Sequence, residues 1–407
     1  MSSPLIWIVL PGLAGMLLWL LRRRTRWVRF LGLFLSAFLV ILAQVLPVAV
    51  TVKLGSLSFK VADTLVLLGR KFTLSAGDLQ LITIIYVIST LWFLGALSLQ
   101  ITPFFVPLGL GVTALLVAAL AVDPFLYAAL LIEVAVLVSI PMLASPGETV
   151  RQGLLRYLIF QTLGMPFILF TGWMLTGIET GPLDPALMTR AAVMLGLGFA
   201  FLLAVFPFYS WIPLLVEHGQ PFVTGFILVI LPTVALFFAL DFLTQYTWFK
   251  ELPLVYSSLR AAGALMVATG GLWAAFQRQF GLILGYTIIT QIGFAILAVG
   301  SPGPAGLSIF AAQLLPFIAA VWLWSYALSI FGRDGHSLTF ASVADGLRCY
   351  PFASSALLLA NLALAGLPLL AGFPFRLSLL IEVAQASPVS ALWVFVGSLG
   401  LLAAGVR

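Results

Sequence analysis

The chain has 407 residues, of which 62% are hydrophobic and 8% charged, so about one position in twelve is ionisable where a soluble domain has about one in four. With a mean hydropathy of +1.19, that excludes a water-soluble fold; one cysteine and two histidines exclude a disulfide framework and a Cys/His metal cluster. The 19 Lys and Arg lie scattered among long apolar runs, leaving no basic face for nucleic acid, and the net charge of +6 instead reports membrane orientation.

Apolar runs bounded by charges, Gly-Pro clusters or polar dipeptides predict an all-α polytopic membrane protein. About thirteen transmembrane helices are expected, near residues 4–21, 28–50, 80–99, 102–122, 124–144, 154–176, 190–216, 221–245, 254–276, 282–300, 305–331, 352–386 and 389–406. The first run precedes its charges, Arg22, Arg23, Arg24 and Arg26, which is the reverse of a cleaved signal peptide. It is therefore expected to be retained. Lys and Arg in short loops stay on the cytoplasmic side, so the arginine run puts the N-terminus outside. Alternation then places Arg29, Arg151, Arg156, Arg278, Arg333, Arg348 and Arg407 inside as well. Lys53, Lys60, Arg70, Lys71, Arg190, Lys250 and Arg260 fall outside. Segment 51–79 alternates polar and apolar residues around Gly69 and reads as a small external β-hairpin.

Two clusters of helix breakers fall inside spans. FPFYSWIP, Phe206 to Pro213, holds Pro207 and Pro213; AGLPLLAGFPF, Ala365 to Phe375, holds Gly366, Pro368, Gly372 and Pro374. A proline removes a helical hydrogen bond, and a freed backbone group in hydrocarbon costs several kcal/mol unless it lines a wet cavity or is buried in protein. Breaks in the seventh and twelfth spans lie an odd number of spans apart, which predicts two inverted five-helix repeats. The expected divisions are 1–122 for the N-terminal helices with their hairpin, 102–245 for the first repeat and 254–406 for the second.

Few ionisable residues lie outside the loops. Glu133 is ten residues into the span 124–144, near the bilayer centre, where a charge costs about 3 kcal/mol or more and marks function by default. It suits a proton relay, or alternatively a protonated acid bonded to a neighbouring helix. Arg376 follows the second break directly, and Glu382 lies six residues on, about 9 Å along a helix axis. That arginine can hold or repel a moving charge but cannot itself release a proton. Glu382 is either part of the same route or an interfacial acid. Glu217 and His218 follow the first break in a short turn, where His218 either feeds protons inward or stands simply solvated. His336 and Cys349, in the long loop before the twelfth span, are given no chemistry.

Four stretches resemble the antiporter-like membrane subunits of respiratory complex I, shared with Mrp-type cation/proton antiporters and membrane-bound hydrogenases. LLIEVAVLVSIPM is similar to that family's fifth helix with its central glutamate, Glu133. FPFYSWIPLLVEHGQPFVTGFI is similar to the broken seventh helix and the turn into the eighth. GALMVATGGLWAAFQRQFGLILGYTIITQIGFAIL resembles the ninth and tenth helices, and LALAGLPLLAGFPFRLSLL the broken twelfth, with Arg376 where a lysine usually stands. The resemblance implies translocation of protons, or alternatively of Na⁺, within an energy-transducing bacterial cytoplasmic membrane. The partners it implies are other membrane-arm subunits and the lipid bilayer, in a complex I-type NADH:quinone oxidoreductase.

The departures concern the relay. Leu202 and Thr233 stand where the family carries lysines, the eleventh helix AAQLLPFIAAVWLW lacks the usual His and Lys, and Tyr209 takes a position commonly held by His. Thirteen spans are expected where the family core has fourteen. No nucleotide-binding Gly-rich turn follows a strand and no thiolate cluster is present, so no cofactor is expected and redox work falls to partners. The main expectation is a proton-translocating subunit; the alternatives are a non-conducting structural subunit of the same kind of complex, or an Mrp- or hydrogenase-type antiporter subunit.

Overall fold

The computed structural model describes residues 2–54, 57–144, 151–175, 184–246, 253–301, 304–334, 338–340, 343 and 349–406. The expectations for Lys250, His336, Arg348 and Arg407 lie outside the described residues, as does the tip of the first hairpin. The chain divides into two compact units: residues 1–148 with 161–184, and residues 149–160 with 185–407.

In the first unit α1 (Leu10–Leu20), entered through a wider-wound turn at Leu5–Val9, is followed by α2 (Thr25–Val45), α3 (Leu79–Ala96), α4 (Phe105–Ala121) and α5 (Tyr127–Leu143). Helix α6 (Gln152–Leu175) gives its first residues to the second unit and its remainder to the first. The second unit continues with α7 (Pro185–Leu202), α8 (Trp211–His218), α9 (Pro221–Gln245), α10 (Pro253–Phe276), α11 (Phe280–Val299), α12 (Pro304–Phe331), α13 (Pro351–Ala365), α14 (Gly372–Ala386) and α15 (Pro388–Val406). Among the described residues, nine helices are long and apolar enough to cross a membrane and four shorter apolar ones accompany them. The protein is an integral membrane protein. Its helical membrane body follows from the solvent: in hydrocarbon the backbone must satisfy its own polar groups.

Segment 51–79 is richer than the single hairpin expected. Strands β1 (Thr51–Leu54) and β2 (Leu57–Lys60) form one antiparallel pair, and β3 (Thr64–Leu67) and β4 (Arg70–Thr73) a second. A short strand β5 (Val122–Asp123), from the end of α4, extends the second pair along β4. The turn between β3 and β4 has two residues, Leu68 and Gly69, both at positive φ (52° and 74°), the mirror-image turn whose twist matches paired strands. The strand signal was legible, but β5 is two residues inside an apolar run and has no pattern of its own.

The two interruptions fall at the Pro/Gly clusters, with a different division of labour among the breakers. Helix α7 ends at Leu202, and a short 3₁₀ turn, Phe208–Ser210, leads into α8. Pro213 is the third residue of α8, where no intrahelical N–H bond is due, so it starts a helix rather than breaking one. At the second site Gly366 closes α13 with φ +75°, the left-handed cap that glycine adopts without steric cost. Gly372 and Pro374 then belong to the first turn of α14, leaving Pro368 in the gap itself.

Packing in the first unit is led by Trp7, Tyr86, Trp92, Phe93 and Phe105, all buried. The Tyr86 hydroxyl donates to the Trp7 carbonyl (2.6 Å). Arg29, expected in an inside loop, lies instead on α2 and donates to the carbonyls of Leu99 and Ile101 (2.9 and 3.0 Å), acceptors in the connection between α3 and α4. In the second unit α9 and α11 are almost wholly enclosed. Helices α10 and α15 meet through glycines: a Cβ on Gly400 would stand 2.5 Å from the Gly271 carbonyl oxygen. Small residues let backbones approach closely where no hydrophobic force drives helices together.

Candidate functional site

Glu133 sits mid-way along α5, in the first unit, and is half-buried. Its Oε1 accepts a hydrogen bond from Thr162 Oγ1 on α6 (2.8 Å). Oε2 is buried without a hydrogen-bond partner among the described residues. One carboxyl oxygen is thus tied to the neighbouring helix and the other is enclosed without a partner among the described residues, an acid kept in a low-dielectric layer at a cost.

The second unit holds a different polar cluster. Arg376, on the first turn and a half of α14, is 8% exposed. Its Nη2 donates to the Leu364 carbonyl, near the end of α13, and its Cζ lies 4.8 Å from the centre of the Phe294 ring. Nη1 is buried and has no hydrogen-bond partner among the described residues. The same carbonyl accepts Gln291 Nε2 from α11 (3.0 Å), and Gln291 Oε1 accepts Gln313 Nε2 from α12 (3.1 Å). The break therefore has a chemical use: ending α13 at Gly366 frees the Leu364 carbonyl for two side-chain donors.

Next to this chain of amides is a cavity of about 30 Å³ lined by Thr233, Gln291 and Gln313 with Pro232, Phe310 and Leu314, enough for one or two water molecules. Thr233, at the position expected to have lost a lysine, thus lines the same cavity as both glutamines. Thr162, Gln291 and Gln313 carry no ionisable group and so do not stand out in the sequence as Glu133 and Arg376 do. The signal that would have found them is a carboxamide or hydroxyl inside a run as apolar as GYTIITQIGFAIL, where an unpaired polar group costs several kcal/mol.

Glu382 is half-buried on α14, and no ion pair joins it to Arg376 among the described residues. Glu217 and His218 are the last residues of α8, 3.8 Å apart. Their carbonyls, which have no helical partner at a helix end, accept Gln279 Nε2 (3.1 Å) and Arg151 Nη1 (2.7 Å) respectively. The His218 side chain is 52% exposed, which leaves its ring in contact with solvent. Cys349 is exposed. No group of three or more His, Cys, Asp and Glu that could hold a metal ion occurs among the described residues.

Two interrupted helices on a helical membrane frame, with buried polar groups at the second interruption, are the architecture of membrane proteins built from broken helices. Comparison with known proteins makes this specific. The family described as NADH:quinone oxidoreductase/Mrp antiporter, transmembrane, matches residues 153–402, more than half of the chain, and the chain belongs to that family. Among curated relatives, NADH-quinone oxidoreductase subunit N 2 of Acidobacterium capsulatum is 27% identical over 60% of this chain and 53% of its own length. NAD(P)H-quinone oxidoreductase chain 5 of Synechocystis sp. is 27% identical over 54% of this chain and 32% of its own. The chain spans about half the length, or less, of the curated relatives it matches.

Solved structures extend the likeness of fold over the full chain. A chain of the archaeal membrane-bound sulfane sulfur reductase superposes with a TM-score of 0.80 at 14% identity, covering 100% of this chain and 87% of that one. A chain of Thermus thermophilus respiratory complex I gives 0.75 at 21% identity, covering 99% and 87%. One from the Mrp complex of Dietzia sp. gives 0.77 at 20%, covering 99% and 78%.

Proposed function

We propose that this chain is an antiporter-like membrane subunit of a complex I-type NADH:quinone oxidoreductase and contributes to proton translocation. The observation that carries the reading is Glu133, a carboxyl at mid-helix with one oxygen held by Thr162 and the other buried and unpaired among the described residues. An ionisable group retained in hydrocarbon against its cost marks a proton or ion route. In this reading Arg376 is a fixed positive charge that biases the protonation of mobile water near the second break, Glu382 lies further along α14, and Glu217 and His218 stand at the cytoplasmic entrance. Residues 102–245 and 254–406 form the two inverted repeats. The N-terminus faces outward across a bacterial cytoplasmic membrane, and the partners are neighbouring membrane-arm subunits. Names of relatives, among them quinone oxidoreductase subunits, support that parent complex; the Mrp-like fold keeps an antiporter assembly, carrying H⁺ or Na⁺, as the variant of the same reading.

A second reading, a structural subunit that conducts nothing, is favoured by one observation. The cavity at Thr233 is bordered by amides and a hydroxyl and holds no titratable side chain. Proton uptake into proteoliposomes carrying the assembled complex separates the two. Glu133→Gln should assemble normally and lower uptake about tenfold or more; normal assembly with unchanged uptake would leave only the structural role.

A further inference from the structure

Beside α1, in the first unit, runs a cleft of about 610 Å³ unrelated to Glu133's hydrogen bond or the Arg376 cluster, its wall formed by Gly12, Met16, Trp19, Gly111, Leu115 and Val138. The surrounding side chains are apolar and open to the outside, with Met16 70% and Leu20 69% exposed. Glycines on both α1 and α4 make the cleft by omission: a Cβ on Gly12 would reach only Ala114 (3.8 Å), and one on Gly111 only Val138 (3.9 Å). Four arginines follow the end of α1 at once, Arg22, Arg23, Arg24 and Arg26. Arg22 lies 4.5 Å over the Trp19 ring and 5.6 Å from that of Phe104, so one guanidinium is pinned to an aromatic that lines the cleft. None of the four has an ion-pair partner among the described residues.

We infer that this cleft binds one anionic phospholipid, with acyl chain along Gly12 and Gly111 and phosphate among Arg22, Arg23, Arg24 and Arg26. The arguments are shape, polarity and charge together. The cleft is apolar along the hydrocarbon and basic at one end only, the pattern of a headgroup site between membrane helices. Trp19 stands where aromatic belts mark the lipid interface. A helix from another protein would fill the apolar part equally well but would leave the arginine cluster unanswered, which is why a lipid is the occupant.

The test uses the full-length protein, stripped of lipid in detergent and titrated with phosphatidylglycerol or phosphatidylcholine of identical acyl chains, or with inorganic phosphate, and read by native mass spectrometry and thermal unfolding. Phosphatidylglycerol should bind about tenfold more tightly than phosphatidylcholine. The quadruple variant Arg22→Gln, Arg23→Gln, Arg24→Gln, Arg26→Gln should lose that preference while the matching lysine variant keeps it. Gly111→Leu should weaken both lipids by filling the cleft. Equal binding of the two lipids, a preference that survives the glutamine variant, or the same stabilisation by inorganic phosphate alone would overturn the inference. So would efficient cross-linking of Met16→Cys to a neighbouring subunit's helix in the assembled complex.

Discussion

Replacing Arg376 by methionine separates stability from function. Methionine keeps an unbranched, buried side chain of similar reach but removes every donor. The bond from Nη2 to the Leu364 carbonyl is charge-assisted, about 1.5–3 kcal/mol, and the contact with Phe294 at 4.8 Å adds about 0.5–2 kcal/mol. Their loss is therefore about 2–5 kcal/mol. Against it stands the cost of holding an arginine in the membrane interior, about 2.5–3.5 kcal/mol on insertion scales, a cost that the unpartnered Nη1 does nothing to offset. The carbonyl is not orphaned either, because Gln291 still donates to it at 3.0 Å. The two sides nearly cancel, so Arg376→Met should fold and unfold within about 2 kcal/mol of the native protein while proton uptake is lost. Unfolding followed by tryptophan fluorescence in mixed SDS micelles gives the first quantity and uptake in proteoliposomes the second. A loss of stability well beyond about 4 kcal/mol would refute the reasoning and make Arg376 a structural keystone.

Other predictions bear on the same cluster and on Glu133. A double-mutant cycle on Gln291→Leu and Gln313→Leu should give a coupling of about 0.6 kcal/mol, the usual value for polar pairs between membrane helices, measured by the same unfolding; additivity within error would mean that their 3.1 Å bond contributes nothing. Gly366→Ala should cost about 1–2 kcal/mol for its left-handed φ of +75°, and its Cβ would meet Arg376 Cδ at 2.6 Å. Uptake should therefore fall more than stability does. Thr162→Val removes the donor to Glu133 and should destabilise by about 1–3 kcal/mol while keeping the carboxyl itself; normal uptake at altered stability is the expected result.

How much was legible in the sequence depends on how far each feature is local. Proline and glycine act on their own backbone, so the places where helices are interrupted could be read directly, as could Gly69 at the hairpin turn. Which breaker ends a helix and which begins one could not: Pro213 and Pro374 are harmless or helpful in a first turn, and only the position of the preceding cap decides that. The cost of burying charge made Glu133 and Arg376 stand out one by one. Their partners did not, because Thr162 lies twenty-nine residues from Glu133 and Gln291 seventy-three from Leu364.

By itself the sequence determined the membrane as solvent, the helical class and the breaks, since each follows from hydropathy and backbone chemistry summed over a short stretch. The tertiary structure decided that one freed carbonyl, at Leu364, collects an arginine and a glutamine from different helices, that Thr233 and two glutamines share a cavity, and that a two-residue strand completes a sheet begun about fifty residues earlier. Hydrogen bonds act over about 3 Å, and which groups come that close is fixed by helix packing, which no short window of residues contains.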